Sequence, residues 1–165
     1  MNNQTQKENT IAPTCTTTKC VPCESLDKST LLDETAIQKE ISSSIPLWSL
    51  LKYSKRGSGS DDDGGNGDKD TNEKSNKISR KFTTKNFQSA IDFINQAGRI
   101  AEREGHHPDL HLTSYREVEV ILFTHSVGGV TGNDILLAKM IDKEVKVCYS
   151  PKWLKMHPEA QQTAA

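Results

Sequence analysis

The sequence predicts an α+β fold: a four-stranded antiparallel sheet with helices packed on one face. Two observations predict it. Apolar residues recur at helical or alternating spacing in the order helix, strand, strand, helix, strand, strand, helix. Each strand pair is joined by a polar, hairpin-type connection, and a helix separates the two pairs. That order gathers the helices on one side of an antiparallel sheet.

The elements follow in chain order. Asp33 suits an N-cap, and Ala36, Ile37, Ile41 and Ile45 follow at helical spacing until Pro46 stops the pattern. Residues 47–55 read as a strand with Trp48, Leu50 and Tyr53 as its bulky positions. Residues 57–77 are rich in Gly, Ser and Asp and contain no apolar residue. Such a stretch cannot bury enough surface to offset ordering, so a disordered insertion at the tip of the first hairpin is expected. Closure entropy grows slowly with loop length, so the hairpin tolerates it. A second strand is expected over 78–83.

Thr84 then caps a long helix whose apolar face is Phe87, Ala90, Ile91, Ile94, Ala97, Gly98 and Ala101, with Gly105 as its stop. Leu110 and Leu112 mark a short strand, and residues 114–116 a turn. Val118, Val120, Leu122 and Thr124 alternate with other residues as in a strand buried on one face. Thr131 and Asp134 have capping-box spacing, with Asp in place of Glu. Ile135, Ala138, Ile141 and Val145 extend a last helix to about residue 148. The expected organisation is a flexible arm over 1–30, one domain over 31–149, and a loose tail over 150–165, in which Trp153 and Leu154 are the residues able to dock.

Composition narrows the function. The chain has 165 residues, a net charge of −1 and only 33% apolar residues. The arm and the insertion account for the low figure and leave a compact part of about 100 residues, a size at which oligomerisation helps. The charge balance makes no case for direct nucleic-acid or membrane binding. No apolar run approaches the roughly 20 residues of a membrane span. The N-terminus has no secretory apolar core. Glu8, and the lack of arginine before Arg56, argue against a transit peptide. The expected location is the cytoplasm, with the nucleus also open. In such a compartment Cys15, Cys20, Cys23 and Cys148 are read as reduced. Cys20 and Cys23 have the spacing of half a zinc site or of a redox pair. Cys15 and Cys148 supply no matching second half, so no metal and no cofactor is expected.

The residues that suggest chemistry lie between Glu102 and Asp134. His106 and His107 follow the end of the long helix and are fixed by Pro108. His125 ends an alternating run, and Asp134 opens the next helix. Histidine is the side chain that titrates near neutrality. Three of them at element ends, with a carboxylate close by, point to acid–base chemistry. The competing reading of each is plain: a histidine after a helix is commonly a solvated cap, Asp134 can serve its helix alone, and Trp48 can be core. His111 and His157 have no motif support.

With these residues in hand, the chain resembles the pterin-4a-carbinolamine dehydratase family. The resemblance is carried by Glu102, three intervening residues, then His106-His107-Pro108; by the aromatic Tyr115; by Thr124-His125 at a strand end; and by Asp134. Trp48 after a proline and the Cys-Val-Pro-Cys at 20–23 also match. The match runs over about 20–148, interrupted by the insertion, and the loop at 126–129 looks plant-like or microbial. Phe123 departs from the pattern, standing where some members carry a small polar residue.

The resemblance implies a lyase that dehydrates a 4a-hydroxy-tetrahydropterin to a quinonoid dihydropterin and supports pterin recycling. It implies His106, His107 and His125 as catalytic groups. Asp134, Pro108, Thr124, Trp48 and Glu102 would bind or orient the substrate. A homodimer or homotetramer is implied, with Leu137, Met140 and Glu144 of the last helix facing a neighbour. It also raises an alternative, a non-catalytic dimerisation partner or coactivator-like scaffold, as animal relatives partner a homeodomain transcription factor. The three histidines together favour catalysis.

Overall fold

The computed structural model describes residues 19–54 and 74–161. The arm over 1–18, the insertion over 57–73 and the tail over 162–165 lie outside these described residues. Four strands form one antiparallel sheet in the order β1-β2-β4-β3. They are β1 Ser49–Ser54, β2 Lys74–Thr83, β3 Asp109–Thr113 and β4 Glu117–Leu122. The helices are α1 Glu34–Ser43, α2 Phe87–Glu104, α3 Gly132–Glu144 and α4 Pro151–Met156. The α+β fold is as the sequence predicts. No helix among the described residues is long and apolar enough to cross a membrane.

Period-2 alternation builds the core. Val118, Val120 and Leu122 of β4 are buried, and their cross-strand partners on β2 are Phe82, Arg80 and Ile78. Against them pack Ile37, Ala90, Phe93, Ala97, Ile100, Ile135, Leu137, Ala138 and Ile141 from the helices. In α2 the buried stripe is therefore centred on Phe93, and Phe87 is exposed at its first turn. The cap of α2 is Asn86, whose side chain accepts the Ser89 amide, rather than Thr84. Thr84 is instead buried, its hydroxyl donating to the Arg116 and Asn86 carbonyls. Leu137, expected on an outward face, is fully buried, while Arg103 binds Glu144 and approaches the Met140 sulfur.

β2 begins earlier than its apolar residues suggest. Lys74–Lys77, read as part of the insertion, pair with Leu51–Ser54 of β1. Backbone pairing needs a neighbouring strand, not an apolar side chain, so composition did not reveal it. The β3–β4 turn places Ser114 and Tyr115 at positive φ, 47° and 57°, the sense that matches the strand twist.

Both flanks of the domain are tied down. α3 ends at Glu144, short of residue 148, because the chain turns extended to bridge Tyr149 with Thr84. Ser150 then caps α4, and the tail, expected to be loose, is docked: Trp153 is buried and stacks on Tyr149 with ring centroids 4.7 Å apart. At the other end, residues 20–30 are not loose. The Asn133 amide group brackets the backbone of Val21, accepting its N–H at 3.1 Å and donating to its carbonyl at 2.8 Å. The Leu32 amide donates to the Val130 carbonyl at 2.8 Å. Polar contacts of this kind leave no hydrophobic trace in the sequence.

A buried arginine of β2 reaches α3. Arg80 is buried, its guanidinium donating to Asp142 of α3 at 2.5 Å and to the Tyr149 hydroxyl. The Trp48 indole N–H is shared by both oxygens of Asp142 at 3.1 Å. Burial outweighs these donors and pushes the Asp142 carboxyl above its ordinary range. Trp48→Phe removes one donor and leaves the Arg80 pair, so it should cost about 1–3 kcal/mol. Turnover should stay at the wild-type level, because Trp48 is 3% exposed and serves the core. Thermal melting and a kinetic assay of one preparation check both parts; lost turnover at full stability would return Trp48 to the site.

Candidate active site

The end of α2 sets the site. Gly105 takes the left-handed conformation at φ 65°, which a side chain would strain. Its N–H and that of His106 both return to the last turn of α2, through the carbonyls of Ala101 and Glu102. The sharp reversal that follows sends His106 inward and His107 outward. His106 is 3% exposed, whereas the His107 side chain is 60% exposed.

His106 is held from both sides. Its Nε2–H donates to Asp134 Oδ1 at 2.7 Å, since a carboxylate can only accept there. Its Nδ1 meets the Cys23 sulfur at 3.2 Å. Asp134 is fully buried at the start of α3, where the capping box forms. Its Oδ2 accepts the Thr131 amide at 2.7 Å, the Thr124 hydroxyl at 2.9 Å and the Thr131 hydroxyl at 3.2 Å. Asp134 therefore caps its helix and anchors an imidazole at once. Thr124 reaches this carboxylate because a bridge to Gly129 closes the loop after β4.

His107 and His125 face solvent at the same place. A cleft of about 270 Å³ is lined by Cys23, Gly105, His106, His107, Pro108, Asp109, His125 and Ser126. His107 Nε2 lies 3.3 Å from Glu102 Oε1, an exposed contact. His125 rests against Phe123, ring centroids 4.0 Å apart, and the Lys77 ammonium sits 3.6 Å above the same Phe123 ring. The substitution that departs from the family pattern thus supports a cleft histidine. The cleft can place imidazoles on a bound molecule with a carboxylate behind one of them, an arrangement suited to moving protons.

The structure brings together His106, His107, His125, Pro108, Asp134, Thr124 and Glu102. It does not bring Trp48 there; Trp48 is committed to Asp142 in the core and does not line the cleft. Tyr115 is exposed in the β3–β4 turn and is likewise absent from the lining. Cys23, Asp109 and Ser126 are cleft residues that sequence reasoning missed. The Cys-Val-Pro-Cys stretch was visible, but spacing alone pointed toward metal or redox chemistry instead of a contact with His106. Among the described residues no group of three or more His, Cys, Asp or Glu is placed to hold a metal ion.

Comparison with known proteins places the chain in a family. The sequence model of the family described as pterin 4 alpha carbinolamine dehydratase matches residues 30–144. A Chlorobaculum tepidum protein provisionally named pterin-4-alpha-carbinolamine dehydratase is 39% identical over 126 residues, 76% of this chain and 93% of that protein. Pterin-4-alpha-carbinolamine dehydratase 2, mitochondrial, of Arabidopsis thaliana is 33% identical over 127 residues, 77% of this chain and 57% of that protein. A Brucella melitensis crystal structure, titled transcriptional coactivator/pterin dehydratase, superposes with TM-score 0.50 at 27% identity. It covers 68% of this chain and 95% of that one. The fold and the matched family define a lyase of the α+β class. The chain belongs to the pterin-4a-carbinolamine dehydratase family and is a dehydratase.

Proposed function

We propose that the cleft dehydrates 4a-hydroxy-tetrahydrobiopterin, or a close pterin, to the quinonoid dihydropterin by histidine general acid–base catalysis, and so supports tetrahydropterin recycling. The observation that carries this reading is the convergence of His106, His107 and His125 on one cleft, with Asp134 buried behind His106. The reaction needs one proton taken from N5 and one given to the departing 4a-hydroxyl. Positioned imidazoles supply this type of catalysis. His107 and His125 have the exposure to meet a substrate. The coactivator role named for the Brucella protein is that protein's own.

An unreactive 7,8-dihydropterin tests the placement. Titration should perturb the imidazole NMR signals of His107 and His125 and leave His157 unmoved. Perturbation of His157 alone would put the pterin in the separate hollow lined by Lys81, Phe82, Thr83, Glu117, Trp153 and His157. Chelators should change neither turnover nor melting temperature, because the donors around the cleft among the described residues are not arranged as a metal set. Loss of both on chelation would contradict the reading.

A homodimer or homotetramer is part of the proposal. Among the described residues, β1 and β3 are the edge strands of the sheet. Sedimentation at micromolar concentration should show the assembly, and a fully active species at the monomer mass of 18.3 kDa would exclude any need for it.

A further inference from the structure

Both ring nitrogens of His106 are occupied by protein groups. Nε2–H is given to Asp134, so in the neutral ring Nδ1 carries a lone pair, and the group facing it at 3.2 Å is the thiol of Cys23. The thiol is therefore the donor, S–H to Nδ1. His106 is buried, whereas Cys23 is half-buried and lines the cleft. The Cys23 backbone is fixed there too, its carbonyl accepting the Ser126 hydroxyl at 2.9 Å. A thiol, an imidazole and a carboxylate thus stand in line, the thiol at the cleft and the carboxylate inside. This order is that of nucleophile–histidine–acid triads, in which the imidazole accepts a proton and the carboxylate supports the imidazolium.

We infer that Cys23 is a catalytic residue of the dehydration, the cleft-facing end of a Cys23–His106–Asp134 proton relay that acts as the base. The inference rests on the acid–base reading of the cleft proposed above. As N5 of the pterin loses its proton to the Cys23 sulfur, the S–H proton moves to His106 Nδ1. The resulting imidazolium is held by the Asp134 carboxylate. The N5 electron pair forms the C4a–N5 double bond, the C4a–O bond breaks, and the hydroxyl leaves as water with a proton from His107 or His125. One proton is taken and one is given, and no electrons change hands. The proton then returns from His106 through Cys23 to the solvent-facing imidazole. In this scheme His106 does not touch the substrate; its proton reaches the cleft through sulfur.

Two variants separate a proton carrier from a packing residue. Cys23→Ser keeps the size and the hydrogen bond but replaces the thiol with a hydroxyl that ionises far from neutral pH. Cys23→Ala removes the donor. Both should lower kcat roughly tenfold to a hundredfold with little change in KM or melting temperature. A second readout needs no turnover. Iodoacetamide should alkylate Cys23 roughly tenfold faster than the exposed Cys148 at pH 7, as expected of a thiol paired with an imidazole. Wild-type kcat in both variants, or alkylation of Cys23 no faster than of Cys148, would overturn the relay. An inactive wild type with fast Cys23 alkylation would instead overturn the acid–base reading on which the relay rests.

Discussion

Replacing His107 or His125 with alanine should each lower turnover of the carbinolamine by roughly 10²–10⁴-fold, the usual loss when a positioned acid or base is removed. That range corresponds to about 3–5 kcal/mol of transition-state stabilisation. Stability should scarcely move. Both side chains are exposed, and the contact between His107 and Glu102 lies at the surface, where such pairs contribute at most about 1 kcal/mol. Glu102→Gln should therefore change the rate far less than His107→Ala does. Activity and thermal melting measured on the same preparations give the answer. Near-normal turnover in both histidine variants would remove the mechanism; a large fall in melting temperature would reassign the histidines to structure.

Asp134→Ala should have the opposite signature, a large loss of stability together with activity. The carboxylate is fully buried and accepts from His106, Thr124 and Thr131. Removing it leaves the His106 Nε2–H, the Thr124 hydroxyl and the Thr131 amide without that acceptor in a region water does not reach. Breaking a buried charged network of this sort costs about 3–5 kcal/mol. For a domain of this size, that lowers the melting temperature by roughly 10–20 °C. Asp134→Asn keeps the shape and one oxygen, so it should lose less stability. Its amide N–H₂ must still face a donor, and His106 loses its carboxylate. Calorimetry and the rate assay read the two effects separately. A melting temperature within a few degrees of wild type for Asp134→Ala would show that the network around His106 is not what holds this corner together.

The contrast between these variants shows what the sequence could and could not disclose. The order of elements, the α2 stop at Gly105 and the capping box at Thr131–Asp134 follow from spacing and cap chemistry, both written locally in the chain. The cleft histidines were legible because they sit at element ends beside conformational markers, Gly105 before His106 and Pro108 after His107. What was not legible depends on partners far apart in sequence. Residues 20–30 dock through the Asn133 amide and backbone groups, contacts that leave no apolar pattern. Cys23 meets His106 across 83 positions of chain. Trp48, read as a ring that could wall a substrate, is claimed by Asp142 instead, and only the approach of Trp48, just before β1, to α3 decides that.

The split between His106 and its neighbour follows from the same turn. One residue beyond a left-handed glycine, the chain places an imidazole inside; two residues beyond, outside. His-His-Pro is thus one buried imidazole tied to an acid and one exposed imidazole at the cleft.

The most direct test of this account is the decay of a 4a-hydroxy-tetrahydropterin generated by an aromatic-amino-acid hydroxylase, followed with and without the protein. The account predicts that catalytic amounts of the wild-type chain accelerate formation of the quinonoid dihydropterin, and that His107→Ala and His125→Ala abolish most of the acceleration. Decay at the uncatalysed rate in the presence of folded wild-type protein would contradict it.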